Sequence, residues 1–373
     1  MFGISRVGWL SIGVVGVIAV AAGMEHSRRS MNQQVFVRDW NSVIETAYVG
    51  NAECARCHED QATKHAAMGH SGTLFTEGLC DRFASLLDRD IADPERDGRF
   101  RFQCLGSEFS VSFSNAKDRV SLPIQFAVGS GKHAVTFLTL LESDDGEPKA
   151  LEHRLSLFHH QTETGLTPSH AGLEVANQLD DLGRLKRGGD VTTCIGCHST
   201  TGQVRGTRVD DLRAGVGCES CHGPGRKHVA TMDRGMSALH IAFGKNKATA
   251  QEELHLCGRC HRSPENLSVL PDPNEPKLAR FQPVGLAQSA CFQKSDGVLR
   301  CTTCHDPHLS VDRTVTDFDA RCRQCHTATQ PNPITCSVQP TGECTSCHMP
   351  AVEVHPGISF HDHWIRKRGA TSP

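Results

Sequence analysis

The chain has 373 residues, of which 38% are apolar and only 5% aromatic, with 22 histidines, 18 cysteines and a formal net charge of −3. No run of basic residues is present, which excludes an electrostatic nucleic-acid surface, and no phosphate loop, Ser/His/Asp arrangement or paired-carboxylate signature is found. Cysteine usage of this density points to an oxidising, extracytoplasmic compartment.

Residues 1–30 hold Arg6, an apolar stretch from Val7 to Gly23, and then Glu25, Arg28 and Arg29. At about 16 residues the stretch is marginal for a full membrane span. It suits a signal peptide, with Ala19-Val20-Ala21 as a small-residue cleavage site, or an uncleaved inner-membrane anchor.

Residues 31–75 carry the first of seven Cys-x-x-Cys-His motifs, Cys54/Cys57/His58, followed by a short helix predicted over Asp60–Met68. The next motif begins only at Cys194. Between them Phe100, Phe102 and Cys104 alternate, as do Phe109, Val111 and Phe113, and then Val135, Phe137 and Leu140 with Leu155 and Leu157. Period-2 alternation between turn residues predicts a small antiparallel β insertion over residues 76–190. Residues 191–373 hold the other six motifs: Cys194/Cys197/His198, Cys218/Cys221/His222, Cys257/Cys260/His261, Cys301/Cys304/His305, Cys322/Cys325/His326 and Cys344/Cys347/His348. We number the motifs 1 to 7 in chain order. The proline-rich stretch from Pro264 to Pro283 is expected to run extended over the surface.

The repeated pentapeptide is the attachment sequence of c-type haem. Two thiols add to the porphyrin vinyl groups, and the adjacent histidine is carried beneath the ring as an axial ligand. Structural zinc also uses Cys-x-x-Cys pairs but does not require the histidine that follows every one of them here. Seven haems c are therefore expected. Their propionates make the oxidised holoprotein more acidic than the polypeptide, with a net charge of roughly −10. With few aromatic side chains and so many macrocycles, the fold expected is one of mainly short α-helices and irregular loops wrapped around a haem stack, with only the small β insertion beside it.

Fifteen histidines lie outside the motifs, enough to supply second axial ligands. Two histidines on opposite faces of one iron need Cα atoms about 12 Å apart, and three residues of chain reach only about 10.5 Å. His308 therefore cannot share an iron with His305, and any iron it binds belongs to a neighbouring motif. His228 is free to serve an iron other than that of His222. Met349 directly follows His348 and cannot turn back on the same iron. Cys80, Cys104, Cys291 and Cys336 lie outside the motifs, and four cysteines allow three pairings.

Several stretches resemble the multihaem cytochromes related to the tetrahaem cytochrome of ammonia oxidisers, the cytochrome c-552/c-554 type with doubled Cys-x-x-Cys-His motifs. They are Tyr48-Val49-Gly50, Val128-Gly129-Ser130-Gly131-Lys132-His133, and Gly217 through Gly225 followed by His228. Others are Arg280-Phe281-Gln282-Pro283, Cys304-His305-Asp306-Pro307-His308, Cys347-His348-Met349-Pro350 and Phe360-His361-Asp362-His363. The resemblance implies His133, His228, His308 and His363 as distal ligands and favours His70, His170 and His355, with His65 and His361 as competitors. At His361 the family more often has a small hydroxyl residue. The resemblance also favours a Cys291–Cys336 bridge.

Two related enzyme classes need an iron with an open position. Pentahaem nitrite reductases replace a motif histidine by lysine, and octahaem hydroxylamine oxidoreductases cross-link a late tyrosine to haem; here all seven motifs end in histidine, and Tyr48 is the sole tyrosine. The reading favoured is a seven-haem electron carrier with bis-histidine irons, working between quinol-linked or soluble cytochrome partners in the periplasm. The alternatives are a reductase or oxidase of nitrogen or sulfur oxyanions with one open haem, and a haem subunit of a respiratory complex.

Overall fold

The computed structural model describes residues 47–367 apart from 159–162, 238–239, 244–247, 268, 270–271, 273, 311–314, 327–335 and 337–342. The apolar segment 7–23 lies outside the described residues, and among these no helix is long and apolar enough to cross a membrane. From Val49 onward the chain forms one compact unit.

Residues 74–187 are built mainly of strands: β1 (Leu74–Phe75), β2 (Asp90–Ala92), β3 (Arg99–Leu105), β4 (Glu108–Ser114), β5 (Arg119–Pro123), β6 (Phe126–Val128), β7 (Ala134–Leu141), β8 (Lys149–Phe158), β9 (Glu163–Leu166) and β10 (Gly183–Arg187). β2 to β5 form a four-stranded antiparallel meander. The second sheet runs β1-β6-β7-β8-β10, with β9 continuing the β10 edge of β8. The alternation read from the sequence sets the register: Phe100 faces Phe113, Phe102 faces Val111 and Cys104 faces Phe109. One face of each sheet therefore carries the large apolar side chains. Phe83, Phe100, Phe102, Phe109, Phe113 and Phe137 are each about as fully buried as a side chain can be and share one core with Val135, Leu151 and Leu157 from the second sheet. Burial of each such side chain contributes roughly 1.5–3 kcal/mol.

The opposite face of the second sheet seats a haem motif. Leu74, Phe126, Leu138, Leu140 and Ala150 pack against Val191 and Ile195 of the helix Gly189–His198, which carries motif 2. The guanidinium of Arg154, wholly buried, bonds Asp93 at 2.5 and 3.0 Å, Glu95 at 2.9 Å and the His170 carbonyl at 2.8 Å. A disulfide joins Cys80, in the helix Leu79–Arg82, to Cys104 of β3. Cys291 and Cys336, the pair favoured by the resemblance, are not bridged to each other.

The other motifs sit on short helices: Asn51–Ala55 with motif 1, Cys218–His222 with motif 3, Ala250–His261 with motif 4, Cys301–Cys304 with motif 5, Val315–Arg323 leading into motif 6, and Cys344–His348 with motif 7. Thr249 and Glu252 close a capping box on the longest of these. After motif 1 the helix runs over Glu59–Ala66. Two further hairpins follow motifs 2 and 7, β11 (Ser199–Arg205) with β12 (Arg208–Ala214), and β13 (Ala351–His355) with β14 (Ile358–His361). The first turns at Gly206, whose φ of 57° is the left-handed value that favours glycine.

The expectation of mainly short helices and loops around a haem stack is thus corrected: two antiparallel sheets organise residues 74–187, and further hairpins follow motifs 2 and 7. Crowding six motifs behind Cys194 leaves the stretch after His58 long enough, and rich enough in phenylalanine, to close an apolar core of its own. The proline-rich stretch is also not simply extended. Pro264, Pro276 and Pro283 open short helical turns over Pro264–Asn266, Pro276–Arg280 and Gln282–Gln288, where a missing N–H costs nothing.

Candidate haem-iron site

The fourteen motif cysteines all stand outside disulfides. The first thiol of every motif is half-buried, as are the second thiols Cys197, Cys221 and Cys304, whereas Cys57, Cys260, Cys325 and Cys347 are exposed. The second thiols thus fall into two groups, three half-covered and four open. Cys57 and Cys325 show the reason. Each lies two residues past the end of its helix, Asn51–Ala55 or Val315–Arg323, so no further helical turn shields the sulfur. The flanking side chains, Arg56 and His58 at one and Gln324 and His326 at the other, are exposed as well. A thiol so placed is open to a macrocycle approaching from outside the chain.

Four motif histidines have their ring tautomer fixed by a carbonyl oxygen. Nδ1 of His198 lies 3.2 Å from the Thr73 carbonyl, that of His222 3.1 Å from Ala242, that of His261 3.2 Å from the Gln282 side-chain oxygen and that of His348 2.9 Å from Arg366. A carbonyl can only accept, so Nδ1 carries the proton and Nε2 keeps its lone pair for a metal. Burial lowers the pKa of His198, His222 and His261, keeping them in the neutral, ligating form.

Four imidazoles from outside the motifs stand opposite motif imidazoles at nearly one distance. Ring centroids are 6.3 Å apart for His58 and His228, 6.1 Å for His261 and His70, 6.2 Å for His222 and His308, and 6.1 Å for His305 and His363. Two metal–nitrogen bonds of about 2 Å, with the half-ring behind each nitrogen, also come to about 6 Å. The donor set and its spacing therefore fit haem iron with histidine on both faces. Burial pushes His70 and His363 down to about 4, with nearby histidines adding to the effect except for a partly opposing hydrogen bond at His363.

Chain geometry brings these partners in from a distance. The helix Arg226–Met232 carries His228 back toward motif 1, and the Asp306-Pro307 turn carries His308 toward motif 3. His363 arrives on the C-terminal segment, which Gly285 admits: a Cβ there would lie 2.7 Å from the Trp364 nitrogen. Ser289 then accepts from Ile365 N and donates to the His363 carbonyl. His363 Nδ1 is 2.9 Å from the His361 carbonyl, and His361 Nδ1 is 2.7 Å from the Met349 carbonyl.

The remaining expected ligands have other neighbours. His133 packs on the Phe360 ring at 5.1 Å, His355 on Phe158 at 5.5 Å, and buried His170 places Nε2 3.0 Å from Glu152 Oε2. His65 is buried, which lowers its pKa.

Three buried carboxylates escape a reading of the sequence. Glu219, inside motif 3, accepts the backbone N–H groups of Val49, Gly50 and Gly225 at 2.8–2.9 Å. Glu253, one turn ahead of motif 4, accepts Thr302 N–H and Oγ1–H in motif 5 at 2.6 and 2.9 Å. Asp319, just ahead of motif 6, accepts Cys344 and Thr345 N–H in motif 7, both at 3.0 Å. Their exposures are only 2, 6 and 2%. Such charge-assisted bonds offset the cost of burying the carboxylate. The available signal is an acid within a motif or a turn before it.

A family model described as cytochrome c554 and c-prime matches residues 157–223. The multihaem cytochrome MtrA of Shewanella baltica is 23% identical over 202 residues, covering 50% of this chain and 53% of that protein. The chain thus spans about half the length of the curated relative it matches. Among solved structures, the outer cell wall cytochrome OcwA superposes with a TM-score of 0.47 at 15% identity, over 86% of this chain and 80% of that one. With its repeated attachment motifs, imidazole pairs spaced for iron, and sequence likeness to haem proteins of this kind, the chain is a multihaem c-type cytochrome.

Proposed function

We propose that this cytochrome binds seven haems c and relays electrons between extracytoplasmic redox partners, quinol-linked or soluble cytochromes, without substrate chemistry of its own. The observation that carries the reading is the set of four imidazole pairs at 6.1–6.3 Å. In the proposed ligation His58 pairs with His228, His222 with His308, His261 with His70, and His305 with His363. The haem supplies a one-electron ferric/ferrous couple. The protein's part would be to present an imidazole from either side of each paired iron, which favours low-spin iron, and to hold imidazoles such as His222 and His261 in one tautomer so that little reorganises when charge changes. His198, His326 and His348 complete the proximal set, with His133 and His355 as further distal candidates. His170 is engaged by Glu152, which favours a structural role for it.

The mass of the denatured chain should exceed the polypeptide by seven haem masses, because thioether links survive unfolding. Electron paramagnetic resonance of the oxidised protein should show low-spin signals for the four paired irons, and His308→Ala should convert one of these to high spin while every haem stays attached. Turnover of nitrite, hydroxylamine or sulfite by the unmodified protein, at an iron that is already five-coordinate, would replace this reading with a reductase.

A further inference from the structure

The motifs touch one another in a particular order. Motif 1 meets motif 3 through Glu219 and through Asn51, whose Oδ1 accepts Cys218 N–H at 3.0 Å, and the Cys54 and Cys218 thiols are in hydrogen-bonding reach. Motif 3 meets motif 4 where the Arg259 guanidinium donates to the Ser220 carbonyl. Motif 4 meets motif 5 through Glu253 and Thr302, with the Cys257 and Cys301 thiols adjacent. Motif 5 meets motif 6 where the His305 ring lies 5.5 Å from that of Phe318, one residue before Asp319. Motif 6 meets motif 7 at Asp319, whose carboxylate lies within 4.8 Å of both the Cys322 and Cys344 sulfurs. Motif 2 stands apart from this series. Its thiols meet motif 4, where the Cys197 sulfur is 3.7 Å from the Arg259 carbonyl and within hydrogen-bonding reach of the Cys260 thiol, while beyond its histidine Thr200 accepts the Gly217 N–H ahead of motif 3 at 2.9 Å.

From these contacts we infer that the haem sites form a branched chain, running through motifs 1, 3, 4, 5, 6 and 7 in that order, with motif 2 as a side branch from motif 4. The inference rests on the haem loading proposed above. Glu219, Glu253 and Asp319 act as positioning residues: each lies within or just ahead of one motif and accepts backbone N–H groups beside another, so three of the junctions are bridged by a buried carboxylate. Of the imidazole pairs, His228 comes from beside motif 3 to motif 1 along this graph, whereas His70 reaches motif 4 from the segment after motif 1, His308 reaches motif 3 from beside motif 5, and His363 reaches motif 5 from the segment after motif 7, each pinning sites two steps apart on it. Among the described residues, motif 4 has three neighbours through its own cysteines, Arg259 and Glu253. Electrons therefore have three ends to enter or leave by, at motifs 1, 2 and 7, and the end at motif 2 is the one whose helix the β-sheet clasps through Val191 and Ile195. A redox partner protein docking there would exchange electrons with the middle of the chain rather than with a terminus.

Iron positions from anomalous diffraction of crystals of the oxidised holoprotein test this directly. The expected result is that the motif 4 iron has the irons of motifs 2, 3 and 5 as its nearest neighbours, and that the motif 2 iron has motif 4 as its nearest. A motif 2 iron lying closest to any other iron, or a motif 4 iron with only two near neighbours, overturns the order. Fewer than seven irons would instead overturn the loading, so the two failures are distinguishable. In a second arm, Cys257→Ala/Cys260→Ala in motif 4 should abolish electron passage between motifs 1 and 7. Undiminished passage in that variant, verified by mass to lack a single haem, counts against the order.

Discussion

Between Leu74 and Arg187 the interior is phenylalanine and leucine contributed by two sheets, whereas the helix Cys218–His222 buries only Glu219, Cys344–His348 only Thr345, and Cys301–Cys304 nothing. The first region closes around its own side chains. These three motif helices, at four or five residues, are far too short to be stable alone, and what the polypeptide offers them is carboxylate–amide bonds and imidazoles facing one another across a gap. One region thus carries its core in the sequence, and the other waits for a core to be attached. The contrast predicts its own largest test. A chain made without haem attachment, for instance with all motif cysteines changed to alanine, should keep slow amide exchange in β3, β4, β7 and β8 and lose it in every motif helix except the part of Gly189–His198 docked on the sheet. Protected motif helices in that haem-free chain would show that the peptide folds without its cofactor, against the coupling of binding to folding.

The two regions are legible in the sequence to different depths. Alternation at Phe100, Phe102 and Cys104 against Phe109, Val111 and Phe113 carries strand, face and partner together, because neighbouring strands are joined by a short turn. The haem motifs announce their chemistry through seven identical spacings. What holds the motifs to one another is invisible locally: Glu219 finds its amides 169 and 170 residues away, and Glu253 finds Thr302 49 residues away. An acid between two cysteines looks like any solvated residue until the other motif is in place. The same holds for the thiols, since Cys57 and Cys197 occupy equivalent places in their motifs and only the first is exposed. The fold class eludes the sequence for a related reason. Averaging seven haems over the whole chain hides the long motif-free stretch with a core of its own, and the Thr- and Arg-bearing linkers after motif 2 give no warning of β11 and β12. Sequence geometry does exclude His305 as the partner of His308, yet only the fold brings His308 to His222.

A buried ion pair in the β region sharpens the comparison from the other side. Asp93 and Arg154 have no exposed side-chain surface. Although burial alone would raise the Asp93 pKa, hydrogen bonds from Arg154 and nearby backbone amides hold it below the usual carboxylate range. Asp93→Ala leaves the buried guanidinium with the partly exposed Glu95 and the His170 carbonyl and should destabilise the β region by about 3–5 kcal/mol. Replacing both members with apolar residues of similar volume should recover much of that loss. Urea unfolding followed by exchange of β7 and β8 amides measures it, while the haem absorbance stays unchanged until higher denaturant. A haem spectrum that collapses together with the β region would mean that the two regions unfold as one unit.

The smallest expected effect concerns proton uptake. His153 is wholly enclosed in the β region, its Nε2 2.8 Å from Thr139 Oγ1, and burial first, then the neighbouring His170, pushes its pKa down to about 3. In the unfolded chain an imidazole titrates near 6.5. Between these values the unfolded chain binds a proton that the folded one refuses, so stability is fully present above about pH 6.5 and falls as the pH drops toward 3. For this one site the loss at pH 5 is about 2 kcal/mol, growing by roughly 1.4 kcal/mol per further unit until the folded pKa is reached. His153→Gln keeps a hydrogen-bonding side chain beside Thr139 but cannot titrate. The difference in amide protection of β7 and β8 between pH 7 and pH 5 should therefore shrink in the variant by that amount, at fixed haem content. Comparing the variant with the parent subtracts the histidines paired across the motifs, whose acid sensitivity belongs to the other region. An unchanged pH slope would mean that His153 takes up its proton without leaving the fold, and that the interior of the β region is wetter than its packing implies.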